Sequence, residues 1–255
     1  MSLTKRRIAL QLYSVRGECA KDLPSTLQEV AEMGYDGVEF AGYYGRSARD
    51  LRTMLEDLGL EVAGTHVGIE TLQGDRLGDS IEFNRVLGNQ FLVVPSLPVE
   101  MTSSRGSWLR AAHRLNEIAD QLRPEGMQVG FHNHVIEFQP IEGELPWDII
   151  FGTTKRDVVM QFDTGNAMAG GVSPKQMLEI FERYPQRATT VHLKEYSSKK
   201  GGALIGEGEV EWKEFFAICE SMGGTEWYIV EQEQYPMGPL ECARRSKENL
   251  DKILM

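Results

Sequence analysis

The feature that most constrains this chain is a two-part unit repeated from end to end. Short apolar runs recur along it, each followed by a segment whose apolar residues return at helical spacing. Parallel strands need a long crossover, and a helix is the compact way to make one, so the alternation predicts a parallel α/β sheet. The expected strands are Ile8–Tyr13, Gly37–Ala41, Val62–His66, Phe91–Pro95, Met127–His134, Val158–Asp163, Thr189–Lys194 and Trp227–Glu233. Their C-terminal ends are marked by Tyr13, Glu39, His66, Pro95, His134, Asp163, His192 and Glu231, mostly 26 to 29 residues apart, with two gaps of 39. Eight units in 255 residues predict a single-domain (β/α)8 TIM barrel over residues 1–255. An open doubly wound sheet usually has fewer strands and often starts on a glycine-rich phosphate turn; the first turn here is Ser14-Val15-Arg16-Gly17.

The crossovers carry helix punctuation. Asp22-Leu23-Pro24 opens one helix and Gly34 closes it; Ser47 to Asp50 opens a second, which Gly59 ends. Leu109, Ala112, Leu115, Ile118, Ala119 and Leu122 form one apolar stripe, ended by Pro124 and Gly126. Ser173-Pro174 starts another helix, Trp212 to Cys219 a further one, and Leu240–Leu254 the last. The stretches after Val67 and after Phe138 lack clear periodicity and are expected to be loops containing short helices.

The charge balance, 27 Lys+Arg against 38 Asp+Glu, gives −11 and makes nucleic acid and anionic membrane poor partners. Cys19, Cys219 and Cys242 form no metal-binding cluster, and odd, scattered thiols fit a reducing compartment. The basic start Lys5-Arg6-Arg7 precedes too short an apolar stretch for a signal peptide, so cytoplasmic residence is expected. Surface composition permits a homo-oligomer without requiring one.

Side chains two apart on a strand share a side, so parity identifies what enters the lumen. On the last four strands this puts His132 and His134, then Gln161 and Asp163, then Thr190, His192 and Lys194, then Ile229, Glu231 and Glu233 inside. Four consecutive strands thus send His132/His134, Asp163, His192 and Glu231 to the C-terminal end, where barrel active sites are built. Imidazoles and carboxylates buried together call for a compensating cation. Mixed N/O donors suit one divalent ion: Mn²⁺, Zn²⁺, Fe²⁺, Co²⁺ or, less readily, Mg²⁺.

Phe-His-Asn-His-Val-Ile-Glu-Phe (131–138), Phe-Asp-Thr-Gly-Asn (162–166), Val-His-Leu-Lys-Glu-Tyr (191–196), Gly-Glu-Gly (206–208) and Glu231, in this order and spacing, resemble the xylose isomerase-like TIM-barrel superfamily. The resemblance is closest to its sugar phosphate isomerase/epimerase group, and includes Leu-Tyr-Ser (12–14), Gly-Tyr-Asp-Gly-Val-Glu (34–39) and Thr-His (65–66). It implies one divalent metal held by a Glu, an Asp, a His and a Glu from strands five to eight; the last three match Asp163, His192 and Glu231. Strand five departs from the pattern. Where many relatives have Glu-x-His, this chain has His132-Asn133-His134. His132 would then replace the carboxylate ligand and His134 would take the base position, or Glu137 would swing in as ligand.

The chemistry implied is proton abstraction beside the carbonyl of a small sugar or polyol, giving a metal-stabilised enediolate. His134 is the first choice of base, with Glu231 as alternative. Lys194 would bind a substrate oxygen or stabilise an oxyanion. Glu39 and His66 would hydrogen-bond sugar hydroxyls, and Asn166 would orient Asp163 or cap the next helix. The first reading is proton return, which makes a sugar or sugar-phosphate isomerase or epimerase; the alternative is expulsion of a β-hydroxyl, which makes a keto-sugar or inosose dehydratase. An apurinic-site endonuclease fits the charge poorly, and a non-catalytic sugar-binding barrel needs no metal. No Gly-x-Ser-x-Gly elbow occurs, and Gly206-Glu207-Gly208 carries the wrong charge for a phosphate loop.

Overall fold

The computed structural model describes residues 6–255; Lys5 of the basic start lies outside the described residues. The strands are β1 (Arg7–Gln11), β2 (Gly37–Ala41), β3 (Glu61–His66), β4 (Phe91–Val94), β5 (Gln128–His132), β6 (Val159–Asp163), β7 (Thr190–Leu193) and β8 (Trp227–Val230). All pair in parallel in chain order, and β1 pairs back onto β8 to close the ring. This is the (β/α)8 barrel that the alternation predicts.

Eight principal helices follow the strands in turn: α1 (Leu23–Glu32), α2 (Ala48–Leu58), α3 (Asp75–Leu87), α4 (Arg105–Leu122), α5 (Pro146–Thr153), α6 (Pro174–Arg183), α7 (Trp212–Ile218) and α8 (Pro239–Leu254). The expected caps form. Asp22 accepts from Ser25 N, Ser47 from Asp50 N, and Ser173 with Gln176 makes a reciprocal capping box. Gly59 takes the left-handed conformation at the end of α2, with φ +67°.

The stretch after Val67 departs from expectation, since α3 is a full 13-residue helix. Its inner face contains Asn84, buried and bonded to Asn89 Nδ2 at 2.9 Å, and this polar residue blurs the apolar period. Several strands are also shorter than read. The ladder stops at Gln11, Val94, His132, Leu193 and Val230, so His134, Lys194, Glu231 and Glu233 stand just past strand ends. Tyr13, expected to mark the end of the first strand, is 40% exposed in a 3₁₀ turn, and Gln11 is the buried polar residue there.

Two apolar layers position the site. Outward strand residues such as Val38, Phe131, Met160, Phe162 and Val191 pack under the helices in the main core. Each such buried side chain contributes about 1.5–3 kcal/mol. Inside the ring, Ala9, Ala63, Phe91, Val93, Val159, Trp227 and Ile229 form a separate apolar plug. The plug fills one end of the lumen, leaving the strands' C-terminal ends for polar groups. Among the described residues no helix is long and apolar enough to cross a membrane.

Candidate active site

Above the plug the lumen turns polar, and its hub is Glu39. One Glu39 oxygen accepts from Gln11 Nε2 at 2.7 Å and lies 2.6 Å from His192 Nε2; the other accepts from Gln161 Nε2 at 2.7 Å. Gly64 makes room for it, since a Cβ there would lie 2.7 Å from Glu39 Oε1. Burial alone would raise the Glu39 pKa, but His66 and His192 outweigh it and hold the carboxyl below its ordinary value. Gln161 Oε1, turned the other way, lies 2.7 Å from His66 Nε2 and 3.1 Å from His132 Nδ1.

Four of the sequence-derived residues converge above this hub. His132, Asp163, His192 and Glu231 each bring one potential ligand atom within 4.8 Å of the others, and all are buried. His192 Nδ1 is 3.2 Å from Glu231 Oε2 and 3.8 Å from Asp163 Oδ2, and His132 Nε2 is 4.0 Å from the same Asp163 oxygen. Asp163 Oδ1 accepts from Asn166 N at 2.7 Å, while buried Oδ2 has no hydrogen-bond partner among the described residues. An orphaned buried carboxylate oxygen facing two imidazole nitrogens fits a cation in the space they share.

The site's electrostatics point the same way. Burial pushes Asp163 up, to about 7, against the pull of Lys194. Burial also works against ionisation of Glu231, but Lys194 and His192 outweigh it and hold that carboxyl well below its ordinary value. His192 would be depressed by burial, yet Glu39 and Glu231 raise it to about 10. His132, by contrast, is driven well down, first by burial and then by its imidazole neighbours. A cluster that raises one imidazole by its anions while leaving another bare suits a positive guest.

The Phe-Asp-Thr-Gly-Asn motif is accounted for residue by residue. Asp163 joins the cluster and caps a six-residue helix, Thr164–Ala169. Thr164 Oγ1 donates to Lys194 O at 2.7 Å and accepts from Lys194 N at 3.1 Å. A Cβ on Gly165 would lie 2.7 Å from Lys194 Cγ, so glycine lets the lysine pass. Asn166 Nδ2 donates to Asn133 O at 3.1 Å, and Asn133 brackets the Asp163 backbone with bonds of 2.8 and 3.1 Å. Asn133 and Gln11 received no role from the sequence; parity turns Asn133 away from the lumen, and its reach to the next strand is tertiary.

The remaining candidates surround the cluster. The His134 ring stands edge-on to His132, centroids 5.1 Å apart, and makes no hydrogen bond to described residues. Its backbone N donates to Glu137 Oε2 at 2.7 Å, which occupies the Glu137 carboxylate outside the four-residue cluster. Lys194 pairs with Glu233 and lies 3.7 Å from Glu231. Burial would lower its pKa, but Asp163, Glu231 and Glu233 raise it, so the ammonium stays charged. His66 stacks on His192 at 8° with centroids 5.2 Å apart.

Two cavities flank the cluster. One of about 290 Å³ is lined by Asn166, Lys194, Gly201, Gln232 and Glu233; another of about 340 Å³ is lined by Tyr43, His66, Thr71, Asp79 and Phe83. Both are of a size for a small molecule. The loop beside the first is organised by Glu195, whose carboxylate accepts from Tyr196 N, Val210 N, Gly206 N and Trp212 Nε1 at 2.7–3.2 Å. Gly206-Glu207-Gly208 is thus a loop wrapped on a carboxylate. A Cβ on Gly208 would lie 2.1 Å from Tyr196 O.

With this geometry in place, the family described as xylose isomerase-like TIM barrel matches residues 27–253. The chain belongs to that family. The inosose dehydratase of Serratia proteamaculans (strain 568) is 26% identical over 259 residues, covering 87% of this chain and 86% of that protein. Among solved structures, a sugar phosphate isomerase/epimerase from Parabacteroides distasonis superposes with a TM-score of 0.83 at 22% identity, covering 98% and 95% of the two chains. An L-ribulose 3-epimerase superposes with a TM-score of 0.72 at 16% identity, covering 97% and 94%. The two structural likenesses concern the fold.

Proposed function

We propose that this protein is a divalent-metal enzyme that removes a proton beside the carbonyl of a keto-polyol or keto-sugar and then expels a β-hydroxyl as water. His132, Asp163, His192 and Glu231 would hold the ion. The chemistry such an ion supplies when bound is Lewis-acid polarisation of the substrate carbonyl. His134 is the acid–base residue. Burial lowers its pKa, so the ring is neutral at pH 7 and able to take a proton. As the C–H bond breaks, its electron pair enters the carbonyl system to give an enolate. Return of that pair expels the β-hydroxyl, to which protonated His134 gives its proton. Lys194, kept charged by its carboxylate neighbours, would stabilise negative charge on substrate oxygen rather than donate protons.

One observation carries the choice of dehydration. His134 is the one imidazole at the cluster free of hydrogen bonds to described residues, whereas His66, His132 and His192 are tied to Gln161 or Glu39. A single free acid–base group can serve an elimination in which it takes one proton and returns it to the leaving group. The inosose dehydratase relative at 26% identity supports the same choice and recommends inosose as the first substrate to test.

Isomerase or epimerase action is the second reading, favoured by the position of Glu231. It approaches the cluster from β8, three strands round the ring from the β5 end that supplies His134, as a second proton carrier would. Incubating the metal-loaded protein with inosose and with ketohexoses in D₂O separates the two. A dehydrated product supports elimination; carbon-bound deuterium in an epimer or isomer, without dehydration, rejects it for the second reading. Deuterium-free substrate with no product would sink both.

A further inference from the structure

The hydrogen bonds beneath the cluster fix which nitrogen of each imidazole carries a proton. An ionised carboxylate only accepts hydrogen bonds. Glu39 Oε1 therefore requires the amide nitrogen of Gln161, at 2.7 Å, and this turns Gln161 Oε1 toward the histidines. That oxygen is also an acceptor, so His66 Nε2 and His132 Nδ1, at 2.7 and 3.1 Å, must each donate to it. Glu39 Oε2 likewise requires a proton on His192 Nε2, at 2.6 Å. The nitrogens left to meet a cation are His132 Nε2 and His192 Nδ1, once the ion replaces the proton that Nδ1 shares with Glu231 Oε2 at 3.2 Å. Those are the two that face the unpartnered Asp163 Oδ2, at 4.0 and 3.8 Å.

We propose that Glu39 is a positioning residue, whose one carboxylate commits His132 and His192 to present bare nitrogens to the ion, so that the site takes Zn²⁺, Co²⁺ or Fe²⁺ in preference to Mg²⁺. The inference rests on the metal reading above. With the ion in place of the His192 Nδ1 proton, two imidazoles and two carboxylates match the charge of a divalent ion. Imidazole favours borderline transition ions, whereas Mg²⁺ wants oxygen donors and retains its water. Glu39 itself, with no exposed surface, sits under His192 and away from both cavities. This differs from the sugar-hydroxyl role that its place at a strand end implied.

The test uses ¹⁵N-labelled full-length protein loaded with Zn²⁺, in which two-bond ¹H–¹⁵N spectra identify the protonated ring nitrogen of each histidine. The expected result is Nδ1–H for His132 and Nε2–H for His66 and His192. In parallel, the visible absorption of bound Co²⁺ is titrated with Mg²⁺, and a thousandfold excess should leave it in place. Glu39→Gln, which puts an amide where only an acceptor fits, should weaken Co²⁺ binding about 10- to 100-fold. Should that variant fail to fold, the wild-type spectra and competition still decide. An Nε2 proton on His132 in the loaded protein, or displacement of Co²⁺ by equimolar Mg²⁺, overturns the inference and leaves the metal site standing. A protein with these tautomers that takes up no ion overturns the metal reading itself, and the ion preference with it.

Discussion

Asp163 and His192 are register partners on adjacent strands, and the imidazole Nδ1 lies 3.8 Å from a buried carboxylate oxygen that has no hydrogen-bond partner among the described residues. Such an orphan costs about 1–3 kcal/mol, a cost that a bound cation removes. Zn²⁺ or Co²⁺ at a hundredfold excess over Kd should stabilise the fold by about 2.7 kcal/mol and raise Tm by roughly 5–10 °C. Asp163→Asn should abolish that rise while leaving the metal-free protein folded. Thermal scans of both proteins with and without metal check this, and an equal metal-induced rise in the variant would exclude Asp163 as a ligand.

His134→Gln removes the free imidazole but keeps the backbone N–H that Glu137 accepts. Metal content after dialysis should be unchanged. Deuterium exchange into substrate, and with it turnover, should fall by about 10²- to 10⁴-fold. Retention of full exchange would reassign the base to Glu231.

Glu137 supplies a pH dependence away from the cluster. Burial pushes its pKa up from 4.5 to about 7, opposed by its backbone hydrogen bonds. A carboxyl with a raised folded-state pKa makes the folded state the stronger proton binder between the two values, so stability falls as pH rises from about 4.5 to 7 and levels off above. The loss is at most about 3 kcal/mol. Glu137→Gln keeps an acceptor for His134 N without the charge, and its urea midpoint should lack this fall. A parallel fall in wild type and variant would place its origin elsewhere.

Glu195→Ala should strand the four N–H donors gathered at the loop after β7. The expected cost is about 1–3 kcal/mol even if water satisfies most of them. Trypsin should then cut at exposed Lys199 and Lys200 faster than in wild type, with the barrel otherwise intact. Unchanged cleavage kinetics would mean that the loop holds its shape without the carboxylate.

The parts that were legible in the sequence are those governed by local periodicity. Period two on the strands assigned Asp163 and His192 to the lumen and Met160 and Phe162 to the helices, because the pleat leaves no other choice once one face is apolar. Caps were readable for the same reason, since Asp22, Ser47 and Ser173 bond within their own first turn. Helix α3 was not, because Asn84 is buried on its inner face among partners from distant segments, which no local pattern reveals.

By itself the sequence determined eight βα units, their single ring, and the four side chains offered to one end of it. It could not determine which polar atoms would meet. That Glu39 lies under His192 rather than in a cavity, and that Gln161 turns its oxygen to two histidines, both follow from strands being brought into register across the lumen. Hydrogen bonds act over about 3 Å between residues as far apart in sequence as Glu39 and His192, and only ring closure sets such distances.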